Sequence, residues 1–95
     1  MTEDYLNDPE FIIIRREYLD DLRAKAPENL ASAQAGNFEP VRTFGHNLKG
    51  NGTSFGFQRI SELGADIEKA AIEGAQDILL DRLPKLIEFL GEVTL

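Results

Sequence analysis

Apolar residues recur at helical spacing along nearly the whole chain, and no stretch shows the period-2 alternation that a half-buried strand requires. That pattern confines the fold to the all-α class. Asn7-Asp8-Pro9-Glu10 reads as a helix start, with Asp8 as a cap for the first amides and Pro9 in the first helical position. Phe11, Ile14, Tyr18, Leu22, Ala26, Leu30 and Ala33 then form one stripe. Pro27 interrupts the run, either kinking one long helix or opening a second. Gly36-Asn37 ends the segment, and Asn37 can cap the next helix. A second helix holds Pro40 in its first turn and Val41, Phe44, Leu48 and Phe55 on one side. A third carries Ile60, Leu63, Ile67, Ala70 and Ala71. Gly74 breaks the chain, and a last helix offers Leu79, Leu83, Leu86, Leu90 and Val93, with a kink expected at Pro84. The connections are short, so successive helices should run antiparallel. The expected fold is an antiparallel up-down-up-down four-helix bundle forming a single domain over residues 1–95.

Composition narrows the function. Ten Lys and Arg are scattered among seventeen Asp and Glu, for a net charge of −7. No basic face for nucleic acid or anionic lipid is in view. The longest apolar run, Phe11-Ile12-Ile13-Ile14, is stopped by Arg15-Arg16, and the start Met1-Thr2-Glu3-Asp4 is too acidic for a secretory signal. With no cysteine there is no disulfide or thiolate chemistry. The expectation is a cytoplasmic domain, without membrane or nucleic-acid partners, that works as a monomer.

The chain has one histidine. At about 100° per residue, His46 falls opposite the apolar face of the second helix and points to solvent. Arg42, Lys49, Gly50 and Thr53 share its side or its flank. A lone histidine is more often an ordinary surface residue, but these neighbours suit an anion. Lys49, three residues on, reaches the same patch and would stabilise a phosphoryl group on the imidazole. Gly50 costs the helix about 1 kcal/mol relative to alanine, which asks for a reason. Without a side chain beside His46, a partner's backbone can approach.

His46-Asn47-Leu48-Lys49-Gly50 resembles the His-x-x-Lys-Gly signature of histidine-containing phosphotransfer (HPt) domains. The likeness runs on through the small residues Asn51-Gly52-Thr53-Ser54, the hydrophobic-Gly pair Phe55-Gly56 and the Leu-Glu-like pair Ile67-Glu68. In detail it covers about Phe38 to Ala71. It implies that His46 is the phosphoacceptor, Lys49 the phosphoryl-stabilising cation, and Gly50 and Gly45 the residues that give a partner access. Gly45 stands where the family usually has alanine. Glu68 matches a position where some members place a carboxylate that orients the imidazole. Arg42 and Thr53 are candidate docking residues. The implied function is a phosphorelay intermediate of two-component signalling, passing a phosphoryl group to or from the aspartate of a response-regulator receiver domain. A histidine kinase is the other implied partner. The domain would be a carrier without catalytic activity of its own, and Mg²⁺ would belong to the receiver.

Other patterns carry less. Gly52-Thr53-Ser54-Phe55-Gly56 spells G-x-S-x-G, but a helix precedes it and the only histidine lies upstream, so no hydrolase triad is available. The glycines lack nucleotide-binding spacing. Arg42 and Lys49 would repel a metal from His46, so neither metal nor cofactor is expected. Two rival readings remain at this level. One is a non-catalytic binding module using the same exposed face; the other is a dimerising bundle, for which Ile12-Ile13 is the obvious patch.

Overall fold

A computed structural model describes residues 4–95; the acidic start Met1-Thr2-Glu3 lies outside them. Among the described residues there are four α-helices and no strand: α1 (Pro9–Gln34), α2 (Glu39–Asn51), α3 (Gln58–Glu73) and α4 (Gln76–Glu92). Short 3-10 turns at Asp4–Asn7 and Thr53–Phe55 complete the regular structure. Each helix packs on its two neighbours around the bundle, so the expected all-α four-helix architecture is the one observed.

The helix limits reflect the local chemistry. Asp8 accepts a hydrogen bond from the Glu10 amide at 2.9 Å, and Pro9 occupies the first turn of α1. Pro27 does not divide this segment. It lies on the exposed side of a continuous 26-residue helix, next to the fully buried Ala26. Gly36 turns the chain at φ 78°, a left-handed conformation suited to glycine. Phe38, not Asn37, takes the position that starts α2, while the Asn37 amide donates back to Ser32. At the far end Gly74, at φ 67°, separates α3 from α4. Helix α4 continues through Pro84 and ends at Glu92, leaving Val93 just beyond it.

The core joins Leu19 and Leu22 of α1, Val41, Phe44 and Leu48 of α2, Ile60, Leu63 and Ile67 of α3, and Leu79, Leu83, Leu86 and Leu90 of α4. At roughly 1.5–3 kcal/mol per buried aliphatic side chain, these residues hold the bundle together. Two positions depart from the expected stripes. Ile14 is exposed, as is Ile13, and the side chain that turns inward at that level is Arg15. Phe55 is not on the second helix, because α2 stops at Asn51; it sits half-buried in the 3-10 turn, stacked on Tyr18 with ring centroids 4.1 Å apart.

Helices α1 and α4 close each other's ends. The Arg23 guanidinium donates to the carbonyls of Leu90 and Val93, and the Gln76 amide donates to the Ala33 carbonyl. These contacts satisfy the carbonyls that a helix C-terminus leaves without partners. The opposite pair, α2 and α3, carries the histidine and packs more extensively than any other pair of the described helices.

Candidate functional site

Glycine sets the distance between α2 and α3. A Cβ placed on Gly64 would lie 2.5 Å from the Lys49 amide nitrogen and 2.6 Å from the Leu48 Cβ. One placed on Gly45 would lie 2.6 Å from the Glu68 amide nitrogen, and one on Gly52 would lie 2.6 Å from that of Ser61. Real side chains do not come so near, so the two backbones approach along a line that only hydrogen atoms fit. Ser61 reinforces one end of the crossing, accepting from the Thr53 amide at 2.7 Å. The crossing brings residue 68 of α3 level with residues 46 and 49 of α2.

Glu68 there bridges two side chains of the facing helix. Its Oε2 lies 2.8 Å from His46 Nδ1 and its Oε1 lies 2.6 Å from Lys49 Nζ. An ionised carboxylate only accepts hydrogen bonds, so this geometry puts the proton on Nδ1 and leaves the lone pair on Nε2. The His46 side chain is 66% exposed, whereas that of Glu68 is 16% exposed. The carboxylate is therefore sheltered, and the ring bonded to it faces water. Lys49, and after it His46, hold the Glu68 carboxyl below the ordinary glutamate range, against the opposing effect of its partial burial.

The other expected residues divide. Gly50 is open, with nothing within 4 Å of a Cβ built on it. Gly45 is not an access position: it is buried beneath α3, and its missing side chain serves the helix crossing. Arg42 is exposed one turn before His46, paired with Glu39 at 3.2 Å, and lines a cleft together with Thr43, His46 and Glu68. Thr53 lies past the end of α2, its hydroxyl donating to Ser61 Oγ at 3.0 Å. Lys49 is engaged with Glu68 rather than standing alone in solvent. No cluster of three or more metal-ligating side chains occurs among the described residues.

Several residues that shape the site are not evident as site residues in the sequence. Gly64 and Ser61 set the crossing. Arg15, 9% exposed, donates from Nε to the Phe55 carbonyl at 2.8 Å and from Nη1 to the Leu6 carbonyl at 3.1 Å, with its guanidinium over the Phe57 ring. It anchors the turn after the histidine helix. Tyr18 donates to Asn51 Oδ1 at 2.6 Å, and burial pushes its phenol well above the ordinary tyrosine range. That bond ties α1 to the last residue of α2. The available signal for Gly64 was a glycine in mid-helix, the same signal that singled out Gly50.

Comparison with protein-family models matches residues 15–93 to the Hpt domain. Neither a curated protein nor a solved structure matches the chain. The matched span takes in the bridge of His46, Lys49 and Glu68 and all four helices except the first turns of α1.

Proposed function

Because the chain belongs to the Hpt domain family, whose members carry phosphoryl groups in two-component signalling, we propose that it is a phosphorelay intermediate with His46 as its phosphoacceptor. The observation that carries this reading is the Glu68 bridge: a sheltered carboxylate holds Nδ1 while Nε2 stands in solvent beside an open glycine. Nε2 attacks the phosphorus of a receiver's aspartyl phosphate; the Nε2–P bond forms as the P–O bond to the aspartate breaks. Nδ1 keeps its proton against Glu68 throughout. The phosphorylated ring is then an imidazolium paired with a carboxylate. In the return direction the leaving group is neutral imidazole, so neither direction needs a proton to move. A histidine kinase is the alternative donor. The protein contributes position and charge, and the receiver supplies the rest of the machinery, as befits a carrier acting as a monomer in the cytoplasm.

Incubation with phosphorylated receivers tests the assignment. Phosphohistidine is a phosphoramidate, so the label should be lost in acid, survive alkali, and be absent from a folded His46→Gln variant. Acid-stable label, or label on that variant, would place the acceptor on another residue.

A further inference from the structure

A cleft of about 280 Å³ opens beside His46, bordered by Arg42, Thr43, His46 and Glu68 but not by Lys49. It has room for a phosphoryl group together with water. In the resting protein both cations near the histidine are already paired, Arg42 with Glu39 and Lys49 with Glu68. A phosphoryl group on Nε2 brings close to two negative charges and demands at least one of them. The two pairs differ in what their separation exposes. Glu39 is 77% exposed and would simply be hydrated once Arg42 left it. Such surface pairs contribute little to stability. Glu68 is largely covered, and losing Lys49 would leave its Oε1 without a counter-charge in a sheltered position. Arg42 is therefore the cation more readily given up. It sits four residues before His46 on the same helix, so the two side chains are neighbours. Its planar fork matches two phosphoryl oxygens at once, which an ammonium does not.

We propose that Arg42, with the Thr43 hydroxyl beside it, forms the phosphoryl seat of this domain, exchanging Glu39 for the phosphoryl oxygens while Lys49 stays on Glu68. The proposal deepens the phosphorelay reading and rests on it. Only the Nε2–P bond is made; the rest is an exchange of ion-pair partners. Lys49 then acts chiefly through Glu68, and Arg42 meets the transferred group.

The test needs no protein partner. The whole domain is loaded with phosphoramidate, whose P–N bond breaks with release of ammonia as Nε2–P forms. Phosphohistidine half-life is followed by ³¹P NMR, and the Arg42 Nε–H resonance is recorded before and after loading. Arg42→Gln should shorten the half-life several-fold, Arg42→Lys should recover part of it, and Glu39→Gln should leave it equal or longer. The Arg42 Nε–H signal should shift on loading. An unchanged half-life in Arg42→Gln, or an unmoved Arg42 signal, overturns the seat while leaving His46 as acceptor. If the parent takes no acid-labile label from phosphoramidate or from any phosphorylated receiver, the phosphorelay reading falls and this proposal falls with it.

Discussion

Gly45 and Gly64 meet backbone to backbone where α2 crosses α3: a Cβ on either would stand 3.0 Å or less from the other's carbonyl oxygen. Glu68 lies one turn beyond Gly64, and His46 is the residue after Gly45. The pair thereby sets how far a carboxylate on one helix must reach to bridge two side chains on the other. Glycine inside a helix costs about 1 kcal/mol relative to alanine at each position, and close approach is what offsets it here.

Gly64→Ala should therefore destabilise despite its better helix propensity. The new methyl would meet the Lys49 backbone at 2.5 Å, and overpacking of this kind costs about 1–3 kcal/mol, more than the gain of about 1 kcal/mol. Urea unfolding would measure the loss. The ¹⁵N signals of the single imidazole should show a weakened preference for the Nδ1–H form. A variant as stable as the parent with an unaltered imidazole would mean that α3 shifts at no cost.

Arg15→Met should cost more than substitution of an exposed arginine that bonds no backbone carbonyl. It strips the Phe55 and Leu6 carbonyls of their donor, each loss being worth about 1–3 kcal/mol when the acceptor stays shielded from water. Arg59→Ala, on the surface, should stay within about 0.5 kcal/mol. Arg15→Lys should not rescue stability, because one ammonium cannot reproduce two divergent bonds and the stack on Phe57. Equal denaturation midpoints for the two arginine sites would remove the anchoring role.

Most of the architecture can be read from spacing alone, since the residues that fill the core recur every three or four positions and Gly36 and Gly74 mark where helices end. The site is legible to a lesser depth. His46 and Lys49 stand out by chemistry and spacing and Glu68 through the family resemblance, but whether Glu68 reaches His46 depends on the separation of two helices. Three glycines look alike in sequence, and only packing separates Gly50, which faces solvent, from Gly45 and Gly64, which face each other. Arg15 is illegible because its partners are backbone carbonyls, which every residue has. Phe55 falls at helical spacing from Leu48, so the apolar pattern alone does not show that α2 has ended at Asn51 and given way to a 3-10 turn closed by the left-handed Gly56.

The Glu68 contacts should also be visible in a titration. Its folded-state value lies below the ordinary one near 4.5, so its contribution to stability is present above that pH and is lost as pH falls through the lower folded value. Carboxyl ¹³C NMR should place the parent midpoint below 4.5. Lys49 is the larger cause, so Lys49→Ala should raise the midpoint further than His46→Gln does. The reverse order would mean that His46, not Lys49, is the main partner of the carboxylate.

Access and chemistry can be separated at Gly50. A leucine there meets nothing within 4 Å at its Cβ, so the fold should tolerate it, and replacing glycine within α2 should stabilise the helix by up to about 1 kcal/mol. The added side chain stands one turn from His46 on the exposed face, in the space that the proposed phosphorelay role reserves for a receiver bringing its aspartate to Nε2. Small donors need no such space. Gly50→Leu should accept phosphoryl from phosphoramidate at the parent rate yet pass it to a receiver far more slowly, whereas Lys49→Ala, by loosening Glu68, should slow both steps. Side-by-side loading and transfer kinetics check the contrast. A Gly50→Leu domain that transfers at the parent rate would show that the receiver approaches from another side.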